Sequence, residues 1–223
     1  MVYAFIPLRS GSKSIKDKNI KTLNNKPLCY WALKSCQDSD KIDKIIVAID
    51  SYEYKAIISN FGFNKLEIYE REKINARDCS STESVVIEYI NKTKLLSESK
   101  FLLIQATSPH LKTEEIDEMI EISEQSNSDV VSCVRLKRFI WDKNGTAINY
   151  NIQQRPRRQD FVGLLVENGA VYVSTVDKVL KSGCRVSGDI KVFEMNENSF
   201  FEIDEPKDFL ISELLFKSNK NDF

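Results

Sequence analysis

Three stretches of this chain carry residue types whose spacing suits chemistry on an anion. The first is Arg9-Ser10-Gly11-Ser12-Lys13-Ser14-Ile15-Lys16-Asp17-Lys18-Asn19, directly after an apolar run. Gly11 lets the backbone approach a bulky ligand. Successive N–H groups can form an anion nest, and Arg9, Lys13 and Lys18 supply positive charge. Polyphosphate suits such a loop; a solvated lysine-rich surface loop is the alternative. The pattern G-x-x-x-x-G-K-[ST] is absent, so the loop is not a Walker A motif. The second stretch is Arg155-Pro156-Arg157-Arg158-Gln159-Asp160. Planar guanidinium groups pair bidentately with carboxylates. An RNA-binding patch is the other reading, but it would call for interleaved aromatic residues. The third is Glu202-Ile203-Asp204. Carboxylates two apart on an extended segment can share a face. With phosphate oxygens they could hold Mg²⁺; otherwise they form an acidic turn before Pro206.

Smaller features lie between these. Arg71 by itself reads as a surface ion pair. Ser80-Ser81-Thr82-Glu83 is a capping-box pattern, and a helix N-terminus can also donate N–H groups to an anion. Gln105, Thr107 and Ser108 follow an apolar strand, at the edge where open α/β sheets bind ligands. His110 could act as a general base, but a surface or packing role is the better reading.

The elements that must position these residues alternate along the chain. Strands are expected at Val2–Ile6, Lys44–Asp50, Leu66–Glu70, Lys100–Ala106, Asp129–Leu136, Gly169–Ser174 and Asp189–Met195. Runs such as Ile45-Ile46-Val47-Ala48-Ile49 are apolar throughout, as in strands covered on both faces. Helices are expected from Pro27 to about Cys36, over Glu83–Leu96, over Ile116–Gln125 behind a Thr113 cap, from Thr175, and from Pro206 to about Lys217, with a frayed tail from there to Phe223. This β-α-β-α order predicts a doubly wound α/β fold, a mainly parallel sheet sandwiched by helices. Residues 137–165 break the rhythm, being polar and weakly periodic. A structureless loop of that length is uncommon, so a small subdomain or an arm gripping another subunit is expected.

Composition removes other possibilities. The 223 residues hold 32 basic and 33 acidic side chains, which argues against a dedicated duplex-DNA binder. The single histidine excludes a His-rich zinc site. No apolar run reaches the roughly 20 residues of a membrane span, and Met1–Pro7 lacks the basic start of a secretory signal. The five cysteines form no C-x-x-C pair and read as thiols in a reducing cytoplasm.

Six blocks, in order, carry a family resemblance. Pro7-x-Arg9-x-Gly11-Ser12-Lys13 with Lys18-Asn19 is similar to the N-terminal signature of CMP-sialic acid synthetases (acylneuraminate cytidylyltransferases). Arg71 with Asp78-Cys79-Ser80-Ser81-Thr82, Leu103-Ile104-Gln105-Ala106-Thr107-Ser108-Pro109, Arg155–Asp160, Glu167-Asn168-Gly169-Ala170-Val171-Tyr172 and Phe201–Asp204 resemble its later blocks. The matches span residues 6 to 208. The chain departs from the family at Ala106, where proline is usual, at His110-Leu111-Lys112, where Leu-Arg is common, and at Glu202, where the family has aspartate.

The resemblance implies a Rossmann-like nucleotidyltransferase fold in one domain, 1–223, with 137–165 as an inserted dimerisation arm. It implies a reaction of CTP with a nonulosonic acid, giving the CMP-sugar and pyrophosphate with Mg²⁺, in a cytoplasmic homodimer. Arg9, Gly11, Ser12, Lys13 and Lys18 would hold the triphosphate. Asn19, Arg71, Ser81 and Thr82 would hold the nucleoside. Gln105, Thr107, Ser108, Arg158 and Gln159 would face the sugar, and Glu202 and Asp204 the metal. Arg9, Lys18 and Asp204 would be catalytic. A sialic or legionaminic acid is the expected acceptor, with pseudaminic acid as an alternative. Readings of another class are a nucleotide-sugar glycosyltransferase and a non-catalytic nucleotide sensor.

Overall fold

The continuous apolar runs become the interior of a seven-stranded sheet with the order β5-β4-β1-β6-β8-β7-β9 in a computed structural model. The structure describes residues 1–77 and 79–221, and the side chains of the last three of these are not described. The elements in chain order are β1 (Val2–Leu8), β2 (Thr22–Leu23), β3 (Lys26–Pro27), α1 (Leu28–Asp38), β4 (Lys44–Ile49), α2 (Tyr52–Ser59) and β5 (Leu66–Glu70). Then come α3 (Thr82–Thr93), β6 (Lys100–Ile104), α4 (Thr113–Ser126), β7 (Asp129–Leu136), β8 (Leu164–Thr175), α5 (Val176–Ser182), β9 (Ile190–Met195) and α6 (Pro206–Asn221). Strands β2 and β3 form a separate small hairpin.

Strand β1 pairs in parallel with β4 and β6, β4 with β5, and β7 with β9. Strand β8 runs antiparallel to both neighbours. The sheet is therefore mainly parallel, as the sequence predicts, with one reversed strand in it. Its two faces explain the unbroken apolar runs. Ala4, Ile6, Ile45 and Val47 pack under α1, α2 and α4, whereas Tyr3, Phe5, Ile46 and Ala48 pack under α3 and α5. Each fully buried side chain of Leu or Ile size contributes about 2 kcal/mol.

The local differences from expectation have physical causes. Helix α2 was not expected, because only Tyr54 and Ile58 of its eight residues are buried and no periodic stripe results. Helix α3 is capped by Ser81, whose Oγ accepts from the Ser84 N–H at 3.1 Å; Glu83 turns instead to Arg185. Helix α4 is capped one residue earlier than expected. The Lys112 N–H donates to Glu115, and Thr113 Oγ1 donates to the Ser35 carbonyl. Helix α6 runs on to Asn221, and the rest of the frayed-tail expectation lies outside the described residues.

Residues 137–163 hold little regular structure. They contain an isolated bridge, Trp141 to Ala147, and a short turn of 3-10 helix, Ile152–Gln154. Phe139 gathers Tyr150 and Phe161 at ring distances of 4.4 and 4.6 Å, and the Arg155 guanidinium lies 4.2 Å from the Phe139 ring centre. Strand β8 begins at Leu164, opposite Leu136, five residues before the expected start. Gly163 has to be glycine here, because a Cβ would lie 2.5 Å from the Leu136 carbonyl oxygen.

A buried polar knot fixes β8 against β7. Asn168 is only 4% exposed. It accepts from Ser132 Oγ at 2.7 Å and donates to the Ser199 carbonyl at 3.0 Å. Ser132 Oγ in turn accepts from the Val171 N–H at 2.9 Å. Buried groups left without such partners cost more than the bonds themselves contribute. Asn168→Leu should therefore lower stability by about 2–3 kcal/mol, read as a reduced urea midpoint at unchanged slope.

Candidate active site

The first strand delivers the cationic loop to the carboxyl edge of the sheet. Gly11 adopts a left-handed backbone, with φ of +69°. Two bonds shape the loop around it. The Ser10 N–H donates to Asp50 Oδ1 at 2.8 Å, and Asn19 Nδ2 donates to the Arg9 carbonyl at 3.1 Å. Asn19 is thus a buried brace of the loop in this structure. Ser12 is half-buried and Lys13 is exposed on the same loop. Below it, Ile15 joins Leu23, Leu28, Ile203 and Phe209 in a small separate core.

That core brings the acidic segment to the loop. The Ile203 N–H donates to the Thr107 carbonyl at 2.8 Å. Lys18 Nζ donates to the Ile203 carbonyl at 2.8 Å and pairs with Asp204 Oδ1 at 3.0 Å. Residues 201–204 are irregular, not a strand, yet Glu202 and Asp204 flank a fully buried Ile203. Glu202 is half-buried and lies over Gly169, where a Cβ would stand 3.2 Å from its Oε2. Burial raises the Glu202 carboxyl above its ordinary range. Asp204, Asp208 and Glu167 add to that, and Lys18 opposes it. Asp208 itself accepts from the Asp204 and Glu205 N–H groups and caps α6.

Across the sheet edge lie Arg71 and the start of α3. Arg71 Nη2 donates to the Ala48 carbonyl, while its Nε is buried with no partner. Its proton affinity is lowered chiefly by burial; Asp50 and Glu88 oppose this and Arg9 adds to it. Ser81 caps α3 and Thr82 is its first residue. The expectation at Asp78 lies outside the described residues. Gln105 is held by its N–H on the Ala170 carbonyl at 3.0 Å, and the Ser108 hydroxyl is buried without a partner.

The structure separates other candidates. Arg158 lines a groove of about 910 Å³ together with Arg135, Arg138, Phe200 and Phe201. Gln159 is exposed nearby in sequence. Arg155 is spent on the Phe139 and Tyr150 rings. His110 packs against Phe216 at 4.6 Å, with Nε2 3.2 Å from Ser212 Oγ. Burial pushes its pKa down to about 4, so it is neutral at pH 7. Its packing role agrees with the sequence reading. Asp50 was missed there. Its signal was its place at the end of an apolar strand, where ligand-facing residues gather.

Among the described residues, no cluster of three or more metal-ligating side chains occurs. Glu202 and Asp204 still suit a divalent cation. They are two hard carboxylates, Asp204 adding to the raised proton affinity of Glu202, and Mg²⁺ ordinarily takes one or two carboxylates plus phosphate and water. Together the loop, the helix start and the acids lie where doubly wound sheets bind nucleotides.

The architecture is that of an α/β nucleotidyl-transfer domain, and known proteins agree. Residues 3–202 match the family model described as cytidylyltransferase, and the chain belongs to that family. It is similar to N-acylneuraminate cytidylyltransferase B of Danio rerio, 36% identical over 94% of this chain and 50% of that protein. It is also similar to the CMP-N,N'-diacetyllegionaminic acid synthase of Legionella pneumophila, 27% identical over 98% of this chain and 97% of that one. The chain thus spans about half the length of the first relative and nearly all of the second. In fold it resembles CMP:2-keto-3-deoxy-manno-octonic acid synthetase complexed with CTP. The TM-score is 0.69 at 14% identity, covering 98% of this chain and 99% of the other.

The raised Glu202 carboxyl makes a testable mark on stability. A carboxyl whose folded pKa is raised binds protons more tightly in the native state, so stability falls as pH rises through that value. Glu202→Gln, neutral throughout, should melt higher than wild type near pH 8 in a chelator. The gap should narrow as the pH falls to about 5, as followed by differential scanning calorimetry.

Proposed function

We propose that the chain is a cytidylyltransferase that joins CTP to a nonulosonic acid, giving the CMP-sugar and pyrophosphate. A sialic or legionaminic acid is the acceptor this reading favours. The observation that carries it is Lys18, which ties the cationic loop to the Glu202–Asp204 segment. One ammonium thereby gathers the triphosphate loop and the acids about a single space. The matched family and its relatives, named for this chemistry, support the assignment.

In this reading the sugar's anomeric hydroxyl attacks the α-phosphate of CTP. A bond forms from that oxygen to phosphorus, and the bond to the leaving pyrophosphate breaks. Arg9, Gly11, Ser12, Lys13 and Lys18 bind the triphosphate, and positioned cations stabilise the charge that develops on pyrophosphate. Asn19, Arg71, Ser81 and Thr82 serve the nucleoside. Asn19 does so by holding the Arg9 backbone, and Ser81 by fixing the α3 N-terminus. Gln105, Thr107 and Ser108 line the sugar side. Mg²⁺ held by Glu202 and Asp204 would supply Lewis-acid stabilisation at the phosphates. The Lys18 ammonium, held at the Ile203 carbonyl beside Asp204, would lend its charge to the phosphates.

Arg158 and Gln159 are proposed to meet the sugar carboxylate. The Arg158 groove is bordered by Phe200 and Phe201, which run directly into Glu202. The whole chain is read as one domain, with 137–165 as an arm onto a second copy in a homodimer. Trp141, Ile148 and Ile152 are exposed apolar residues on it and support that role. No helix among the described residues is long and apolar enough to cross a membrane. The cytoplasm is the compartment proposed.

The test is pyrophosphate release from CTP and Mg²⁺ with N-acetylneuraminic, legionaminic or pseudaminic acid. Release with one of the first two is expected, and none with any of the three defeats the proposal. Asp204→Ala should lower kcat by about 100-fold or more while calorimetry still shows CTP bound. A nucleotide sensor would show CTP bound and no turnover in the wild type.

A further inference from the structure

Asp50 follows β4, the strand between β1 and β5. The registers pair Leu8 with Ile49, and Ile49 with Glu70. One step further along all three strands, the row at the carboxyl edge reads Arg9, Asp50, Arg71. Two guanidinium side chains therefore flank one carboxylate where the sheet ends. The bonds agree with this row. Asp50 Oδ1 accepts the Ser10 N–H at 2.8 Å, just before the turn at Gly11. On the other side, Arg71 donates its backbone N–H to the Ile49 carbonyl at 2.9 Å and its Nη2 to the Ala48 carbonyl.

We infer that Asp50 is the positioning residue of the nucleotide site. Its carboxylate fixes the backbone of the phosphate loop through Ser10 and lies between the two arginines that would otherwise repel each other. This inference rests on the CTP reading proposed above. Two observations strengthen it. The Arg71 guanidinium is stabilised by Asp50 and destabilised by Arg9, so the three charges sense one another. The Tyr54 hydroxyl, on the helix that follows β4, is buried without a partner, and Asp17 and Asp50 are the charges that act on it most. The ground beneath the loop is thus built around this carboxylate. A carboxylate does not face triphosphate for binding; its use is to order the donors that do. Unlike Arg9 and Lys18, Asp50 acts only through other groups.

Two variants and two readouts separate this role from a general structural one. Asp50→Ala removes the acceptor, and Asp50→Asn keeps an oxygen in the same place. In Asp50→Ala, hydrogen exchange over residues 9–14 should quicken at least about tenfold, with β9 unchanged. The KM for CTP should rise about tenfold, with the KM for the sugar acid within about twofold of wild type. Asp50→Asn should restore the loop's protection and most of the CTP KM. Wild-type exchange at residues 9–14 in Asp50→Ala overturns the inference, as does an equal rise in both KM values. A wild type that binds no CTP defeats the functional reading and the CTP role together. A wild type that binds CTP beside an equally competent Asp50→Ala defeats the role of Asp50 alone.

Discussion

The candidate site depends on how residues 202–204 are tied to the rest of the molecule. Lys18 holds this segment by the Ile203 carbonyl and the Asp204 carboxylate. The ion pair itself contributes little, since Asp204 is two-thirds exposed and such pairs are worth at most about 1 kcal/mol. The larger share comes from Ile203, which is fully buried against Ile15, Leu23, Leu28 and Phe209. A buried side chain of that size is worth about 2 kcal/mol, and its N–H bond to Thr107 satisfies a buried donor. Packing holds the segment in place, and charge orients what projects from it.

The reversed strand prepares the ground for that segment. Because β8 runs antiparallel to β6 and β7, Asn168 and Gly169 lie just past the carboxyl end of β6 and opposite the bulge in the middle of β7. Asn168 reaches Ser199 just before the acidic segment, and Gly169 leaves room for the Glu202 carboxylate. A side chain at residue 169 would meet that carboxylate, so the small residue and the acid are matched. The cost of half-burying the Glu202 carboxylate is borne because Asn168 and Ile203 hold the chain on either side of it.

The sheet was legible in the sequence because its strands are covered on both faces. Ile45–Ile49 is apolar at every position, and helices stand on either side of it. The cationic loop was legible because Gly11 and the lysines stand together after a strand. Helix α2 was not, since it buries only two residues. The Ser80–Glu83 pattern marked the right helix end, but Glu83 went to Arg185, a partner 102 residues away that no local pattern reveals. Arg155 looked like one more ligand for an anion, and it stacks on Phe139. The alternation of Glu202 and Asp204 suggested an extended segment, and an irregular one pinned at Ile203 presents them. In each case the local chemistry was visible, and the partner chosen at long range was not.

The tie between Lys18 and Ile203 spans 185 residues. Loop-closing contacts of that length form late, because chain entropy must be overcome before they reward it. Strands β1 and β4, neighbours in the large sheet and fewer than 50 residues apart, can pair much earlier. A nascent chain thus holds a cationic loop without the acids that complete the site until the segment before α6 arrives. The order of assembly follows from the fold, and the candidate site is completed late. Any change that loosens the Ile203 core would leave a well-formed sheet with an unfinished pocket.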